Sequence, residues 1–344
     1  MKKLVLIICS LATLSSCSKN IDPENEQPTY LLASSTQNST GGGWVSNNYV
    51  VNYEYNTNNQ LFRSITSSKN KSTSDESNGL STTTYSYNED GFVTSAKSDM
   101  NSGGKDTRDI STTNIQYTYQ KGRLSQEVSN NTYERTTFAT GKKEISTYQT
   151  TTSYTYDSKG SLTQILQESV SSSSGTSKST TFLSGGKITK KVYQSGNGPE
   201  MEYDTYSNGL IVQNKYGTST NFYKYDAADH LIKTERWESG KQYSYTEQTF
   251  DSQKATYLAN PTSFFKGWPK YVNSNGNYSN NVLNTRIVYI QPNGSESSAD
   301  HNYTNNYQFN EKGFPAKKTY SGKWNGTNYS GEEIYTYIDL SAKK

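Results

Sequence analysis

Few residues in this chain have the means to do chemistry. Three carboxylates alternate in Glu200-Met-Glu202-Tyr-Asp204, a period that puts all three on one face of a strand. Such a row could hold Ca²⁺ through oxygen ligands, or supply the carboxylate pair of a glycoside hydrolase. It could equally charge an edge strand against aggregation, and that reading is favoured. Glu200, Glu202 and Asp204 therefore stand as weak metal candidates, and no metal is assigned. The chain has two histidines, His230 and His301. His230 falls in a turn slot, which points to a surface position flanking the turn. His301 sits in the polar run 295–306 with no second His, Cys or carboxylate at ligand spacing, whereas a zinc site needs three or four ligands. No nucleophile elbow, P-loop or dinucleotide fingerprint occurs. The expectation is a non-enzyme without cofactor.

Aromatic residues offer a different chemistry, that of contact. Asn260-Pro-Thr-Ser-Phe264-Phe265-Lys-Gly-Trp268-Pro-Lys-Tyr271 carries two prolines and four aromatics without alternation, which suits a structured loop or short helical insert. It reads as a stacking platform for a sugar ring or a docking patch, or as an end cap folded over the last hairpins. The cap is favoured. Phe264, Phe265, Trp268 and Tyr271 are the candidate contacts, with Trp324 (in Lys323-Trp-Asn-Gly-Thr-Asn-Tyr329) beside them; Trp237 shares the ambiguity.

The N-terminus carries an address. Met1-Lys-Lys3 is basic, and Leu4 to Leu14 is an apolar run of 11 residues, the length of a signal-peptide core rather than a bilayer span. Leu14-Ser15-Ser16-Cys17 resembles the lipobox of bacterial lipoproteins, which implies cleavage before Cys17 and its acylation. Cys9 leaves with the leader and Cys17 carries lipid, so the mature chain has no disulfide. The next stretch, to about residue 46, is Ser-, Thr- and Gly-rich and reads as a flexible tether. Asp22, Glu24 and Glu26 behind the lipid resemble signals that some Gram-negative lipoproteins use to reach the outer face. A plain solvated spacer is the equal alternative.

The elements come from repetition. Tyr-x-Tyr followed by Asn, Asp or Gln recurs at Tyr53, Tyr85, Tyr117, Tyr154 and Tyr223, with a variant at Tyr307-Gln-Phe309; degenerate copies fall near Phe182 and Tyr206. Two rings two residues apart share a strand face. The turns that follow, such as Asn88-Glu-Asp-Gly91, Gln120-Lys-Gly122, Asp157-Ser-Lys-Gly160, Ser207-Asn-Gly209 and Asn310-Glu-Lys-Gly313, suit a type I turn closed by a left-handed residue and a bulge. Polar stretches such as 67–79, 98–109, 169–180 and 194–199 read as longer loops gathered on the opposite edge. Leu, Ile, Val and Phe together number 54 of 344 residues, a level associated with disorder, but 30 regularly placed tyrosines can cover a sheet without a thick oily core. Without Lys2 and Lys3 the charge is 32 basic against 31 acidic, so no basic stripe for nucleic acid exists. No strand shows a clean lipid-facing apolar band, which disfavours a transmembrane barrel. The expected fold is all-β: an elongated, twisted or wound antiparallel meander of Tyr-rich hairpin repeats. Its divisions are a leader (1–16), lipidated tether (17–46), hairpin repeats (47–257) and an aromatic cap with final hairpins (258–344).

The phrase Tyr-x-Tyr-[Asn/Asp]-x-x-Gly-x-[Leu/Phe] resembles the YD repeats of RHS-type proteins. Together with the lipobox it looks like a group of YD-repeat-like outer-membrane lipoproteins. Phe250-Asp251, Asn260-Pro261, Ser279-Asn-Asn281 and Phe309-Asn-Glu-Lys-Gly-Phe-Pro315 fall in an order shared with that group. The resemblance spans Tyr49 to Tyr337 and implies an outer-membrane lipid anchor, surface-exposed or periplasmic, but no activity. Large RHS proteins enclose a toxin; this chain lacks their arginine before the Tyr, their proline-rich signature and a toxin region, so encapsulation is not carried over. The expected role is non-catalytic binding or structural contact with a glycan or protein at the envelope, anchored to the membrane by lipid. A surface glycan hydrolase and a periplasmic scaffold for an outer-membrane complex are the alternatives.

Overall fold

The computed structural model describes residues 30–41, 44–269, 276, 279–297, 301–324 and 326–340. Cys17, the acidic cluster behind it and Tyr271 lie outside the described residues. Among those described, the first strands are β1 (Tyr30–Gly41), β2 (Trp44–Tyr55), β3 (Leu61–Ser72), β4 (Glu76–Tyr87), β5 (Val93–Gly103) and β6 (Thr107–Gln120). Next come β7 (Arg123–Thr137), β8 (Lys142–Tyr156), β9 (Leu162–Ser171), β10 (Gly175–Ser184), β11 (Lys187–Ser195), β12 (Asp204–Ser207) and β13 (Leu210–Tyr216). The last are β14 (Ser219–Tyr225), β15 (Leu231–Glu238), β16 (Lys241–Phe250), β17 (Val282–Ile290), β18 (Glu296–Ser297), β19 (His301–Phe309), β20 (Pro315–Trp324) and β21 (Thr327–Asp339).

The strands form one antiparallel meander wound into a ring. Apart from β11 and β12, strands adjacent in sequence pair with one another as far as β17, and β18 and β19 both pair β17. The ring closes because β1 pairs β21, from Tyr30↔Asp339 to Gly41↔Tyr329. Its weakest joint lies between β11 and β12, where a single bridge, Tyr193↔Met201, ties β11 to the segment that precedes β12. Closure corrects one boundary: residues 30–41, expected as tether, are a full strand laddered on both sides. Their Ser/Thr/Gln/Asn composition looks like a linker, but β21 pairs along the strand from Tyr30 and β2 joins it on the other side from Ser34.

The tight turns fold as their residues dictate. In Asn56–Gln60 and Asp157–Ser161 the first side chain accepts from two backbone N–H groups, Asn56 from Asn58 and Gln60, Asp157 from Lys159 and Ser161, all at 2.8–3.0 Å. Their fourth residues are left-handed, Asn59 at φ 58 and Gly160 at φ 85. Asn88–Phe92, Asp226–His230 and Asn310–Phe314 repeat this geometry, with the fourth residues Gly91 at φ 84, Asp229 at φ 66 and Gly313 at φ 78. Two other turns are tighter than expected: Lys121-Gly122 and Asn208-Gly209 have both φ values positive, the two-residue mirror-image turn. The strand then slips by one residue at the second aromatic of each repeat, for example between Ser86 and Tyr87 and between Thr155 and Tyr156.

Three of the expected long loops, 67–79, 98–109 and 169–180, are mostly strand, whereas 194–199 leads out of β11 into a loop. Residues 67–79 and 98–109 continue β3 into β4 and β5 into β6 through short turns. Ser, Thr and Asn run there on both faces, so no hydrophobic alternation marks them as strands. What holds them is a cross-strand polar ladder: Thr83 to Ser98 at 3.0 Å, Asn131 to Ser111 and Thr113 at 2.8 and 2.7 Å, Thr150 with Ser169 at 3.1 Å. These residues share the strand face of the tyrosines. The opposite face carries ion pairs such as Arg63–Glu54, Lys97–Asp99 and Lys143–Glu134.

Candidate functional site

The tyrosines do more than cover the sheet. The Tyr87 hydroxyl donates to the Leu61 carbonyl at 2.7 Å, near the start of the preceding strand. Tyr55 repeats the bond to Leu32, Tyr156 to Leu124, Tyr225 to Ile211, Tyr307 to Val282 and Tyr337 to Pro315, all within 2.6–3.1 Å. Each hydroxyl thus satisfies a carbonyl next to the bulge, where the ladder slips. Burial raises the pKa of Tyr55, Tyr87, Tyr307 and Tyr337, and pushes Tyr156 up to about 12. The reason for tyrosine rather than phenylalanine was readable only as the repeat itself.

The described part of the β16–β17 connection, chiefly residues 251–269, crosses the turn end of the ring. It is clasped at its base, where Asn281 donates its N–H to Asp251 at 2.9 Å and Ala255 donates to the Ser279 carbonyl at 2.9 Å. Asn260 caps a short 3-10 turn, Pro261–Phe264, by accepting from the Thr262 N–H at 3.1 Å. Ala259, fully buried, packs with Leu32 of β1 and Phe314. Phe265, 7 % exposed, enters the cluster of Leu61, Tyr85, Val93, Ile115, Tyr117 and Leu124 on β3–β7. Its ring lies edge-on to Tyr85 at 5.3 Å and to Trp268 at 5.0 Å. Trp268 reaches Tyr117 at 5.4 Å and donates Nε1–H to the Tyr119 hydroxyl at 3.1 Å. The Gly267 carbonyl accepts from Leu124 N–H at 2.8 Å. Strands β4–β7 lie across the ring from β16 and β17, so the insert spans the opening and its contacts identify the tyrosine face as the inner one.

The candidate contacts therefore separate. Phe265 and Trp268 pack against the inner wall and present no free platform, while Phe264 stays 38 % exposed. Its described residues, 260–269, pack on the hairpins of β3–β7 across the ring, whereas the cap reading expected them over the last hairpins. Trp324 ends β20, its backbone paired with Thr327 and His301, and its side chain lies outside the described residues.

His230 corrects its expectation. It flanks a turn but is buried, 6 % exposed, and stacks on Phe250 at 4.7 Å. Its ring nitrogens contact Asp226 Oδ2 and Asn280 Oδ1, each at 2.8 Å, so it ties the returning insert to the wall. Burial works to raise the Asp226 pKa, but the His230 ring and the N–H groups of His230 and Ala228 outweigh it and hold the carboxyl below its usual range. His301 begins β19.

The carboxylate row does not converge. Glu202 pairs with Lys190 at 2.5 Å. Asp204 instead accepts from Asn214 at 2.7 Å, Tyr206 at 3.1 Å and Tyr193 at 3.3 Å. Only Asp204 of the three lies in a strand, and Glu200 is exposed beside the weak β11–β12 joint. Among the described residues no group of three His, Cys, Asp or Glu could hold a metal ion.

Comparison with family models and with curated proteins returns no match. Solved structures similar to this chain include a porin-like protein from Bacteroides uniformis, 12% identical, covering 90% of this chain and 99% of that one at a TM-score of 0.36.

Proposed function

We propose that this chain is a lipid-anchored cell-envelope protein with a non-catalytic binding role, carried on a ring whose turn end is closed and whose other end is open. The observation that carries the reading is the placement of the ends. β1 begins at Tyr30, beside Asp339 and the aromatic insert, so the tether leaves from the closed end. The far end is bordered by short polar turns, and among the described residues no segment crosses it. An anchor at Cys17 would then hold the closed end toward the membrane and turn the polar mouth outward. Charged pairs on the outer strand face suit a ring standing in water rather than lipid. A hydroxyl- and amide-rich interior suits polar ligands such as glycans or protein segments. The likeness of the repeats to YD-repeat-like outer-membrane lipoproteins supports the same address.

Protease shaving of intact cells tests this reading. Digestion of the mature chain while a periplasmic marker survives is the expected result. Full protection would remove the surface role and favour the periplasmic scaffold, to be pursued by crosslinking. Cys17→Ala should move the protein from the membrane fraction to the soluble one.

A further inference from the structure

The inner wall beside the insert holds a carboxylate that makes no ion pair among the described residues. Glu127 of β7 stands directly opposite Tyr117 of β6 and Thr152 of β8, so its side chain shares the inner face with both. Directly opposed residues on antiparallel strands have Cβ atoms about 5 Å apart, which brings the carboxyl against the Tyr117 ring. Trp268 packs on that same ring at 5.4 Å, and Tyr154 packs against the cluster from β8. Other inner carboxylates are answered: Asp109 binds Arg135 at 2.7 Å and Tyr133 at 2.6 Å, and Glu333 pairs with Lys318 at 3.4 Å. Glu127 has no such cation among the described residues, and burial raises its pKa. It nevertheless keeps partial exposure, so solvent reaches it from the ring interior.

We propose that Glu127, with Tyr117 and Tyr154 beside it, forms a binding site for an organic cation, an alkylammonium or quaternary ammonium group. The chemistry follows from the surroundings. A partly buried carboxylate without a countercharge is costly, and a cation entering the site removes that cost. Aromatic faces attract such a cation and accept its alkyl substituents. A hard metal ion would find one carboxylate and no further ligand set, and a neutral sugar would leave the charge unanswered. The site rests on the ring interior being reachable from the open end. It does not depend on which side of the envelope the protein occupies, so a negative shaving result would leave it standing.

The test is isothermal titration of the purified full chain with tetramethylammonium and butylammonium chloride, against sodium chloride at equal concentration. Saturable binding to the wild type, at least about tenfold weaker in Glu127→Gln, is expected, the equivalent of about 1.4 kcal/mol. Glu76→Gln, which alters an exposed acid of the outer face, should bind as the wild type does. Thermal melting keeps the comparison fair, because removing an uncompensated charge should leave Glu127→Gln at least as stable as the parent. Absence of saturable binding to the wild type, or equal binding by Glu127→Gln, overturns the proposal.

Discussion

At the scale of single residues, tyrosine is chosen for its hydroxyl. Tyr87→Phe keeps the ring but leaves the Leu61 carbonyl without its donor, and should cost about 1 kcal/mol. Tyr216→Phe, at an exposed ring, should change stability by less than about 0.5 kcal/mol in the same denaturant titration. Two carboxyls set opposite pH dependences. Burial raises Glu127, so the native state holds its proton more tightly than the unfolded chain. Its contribution therefore falls as pH climbs from about 4.3, the ordinary Glu value, through the raised native one. Asp226 is depressed in the native state, so its contribution is complete above about 3.9 and is lost as pH drops through the native value. Melting temperature against pH should rise in Glu127→Gln relative to wild type only on the high side of that range. Asp226→Asn should flatten the acid limb.

The insert is the element that turns an open ring into a closed cup. Phe265→Ala deletes its deepest ring and should destabilise by about 3–5 kcal/mol, with tryptophan emission shifting to the red as Trp268 becomes wet. Phe264→Ala, one residue away and exposed, should leave both readouts within about 0.5 kcal/mol of wild type. Gly267 is required twice over: its φ is +76, and a Cβ there would stand 2.5 Å from the Gly122 carbonyl oxygen. Gly267→Ala should loosen the insert while the hairpin turns stay intact. This segment was legible as a cap because its prolines and aromatics break the alternation. Its target was not, since residues 265 and 85 meet only once the ring has brought β16 and β4 to opposite sides.

At the scale of the whole molecule, closure distinguishes this protein from a linear array of repeats. Removing β21 (residues 327–339) strips the β1 and β20 ladders of their shared partner, leaving two bare edges and the Tyr337–Tyr30 stack undone. The truncated chain should lose its cooperative melting transition. A linear repeat array would lose little more than the terminal unit, because each unit there contacts only its neighbours. Circular dichroism melts of the two lengths decide between them.

The amino-acid sequence alone determined what is local. Asn or Asp at the head of a turn and a left-handed residue at its fourth position fix the hairpins, because the side chain and the φ requirement act within five residues. Tyr-x-Tyr fixed the inner face for the same reason. The polar strands escaped notice because Ser, Thr and Asn look alike in a loop and in a hydrogen-bonded ladder. Only the tertiary structure decided that Tyr30–Gly41 is a strand, that β1 finds β21, and that the insert lands on β3–β7. It also left Glu127 facing inward with no ion pair among the described residues. Those outcomes join residues far apart in the chain, and no residue type announces a partner it meets only after the ring has closed.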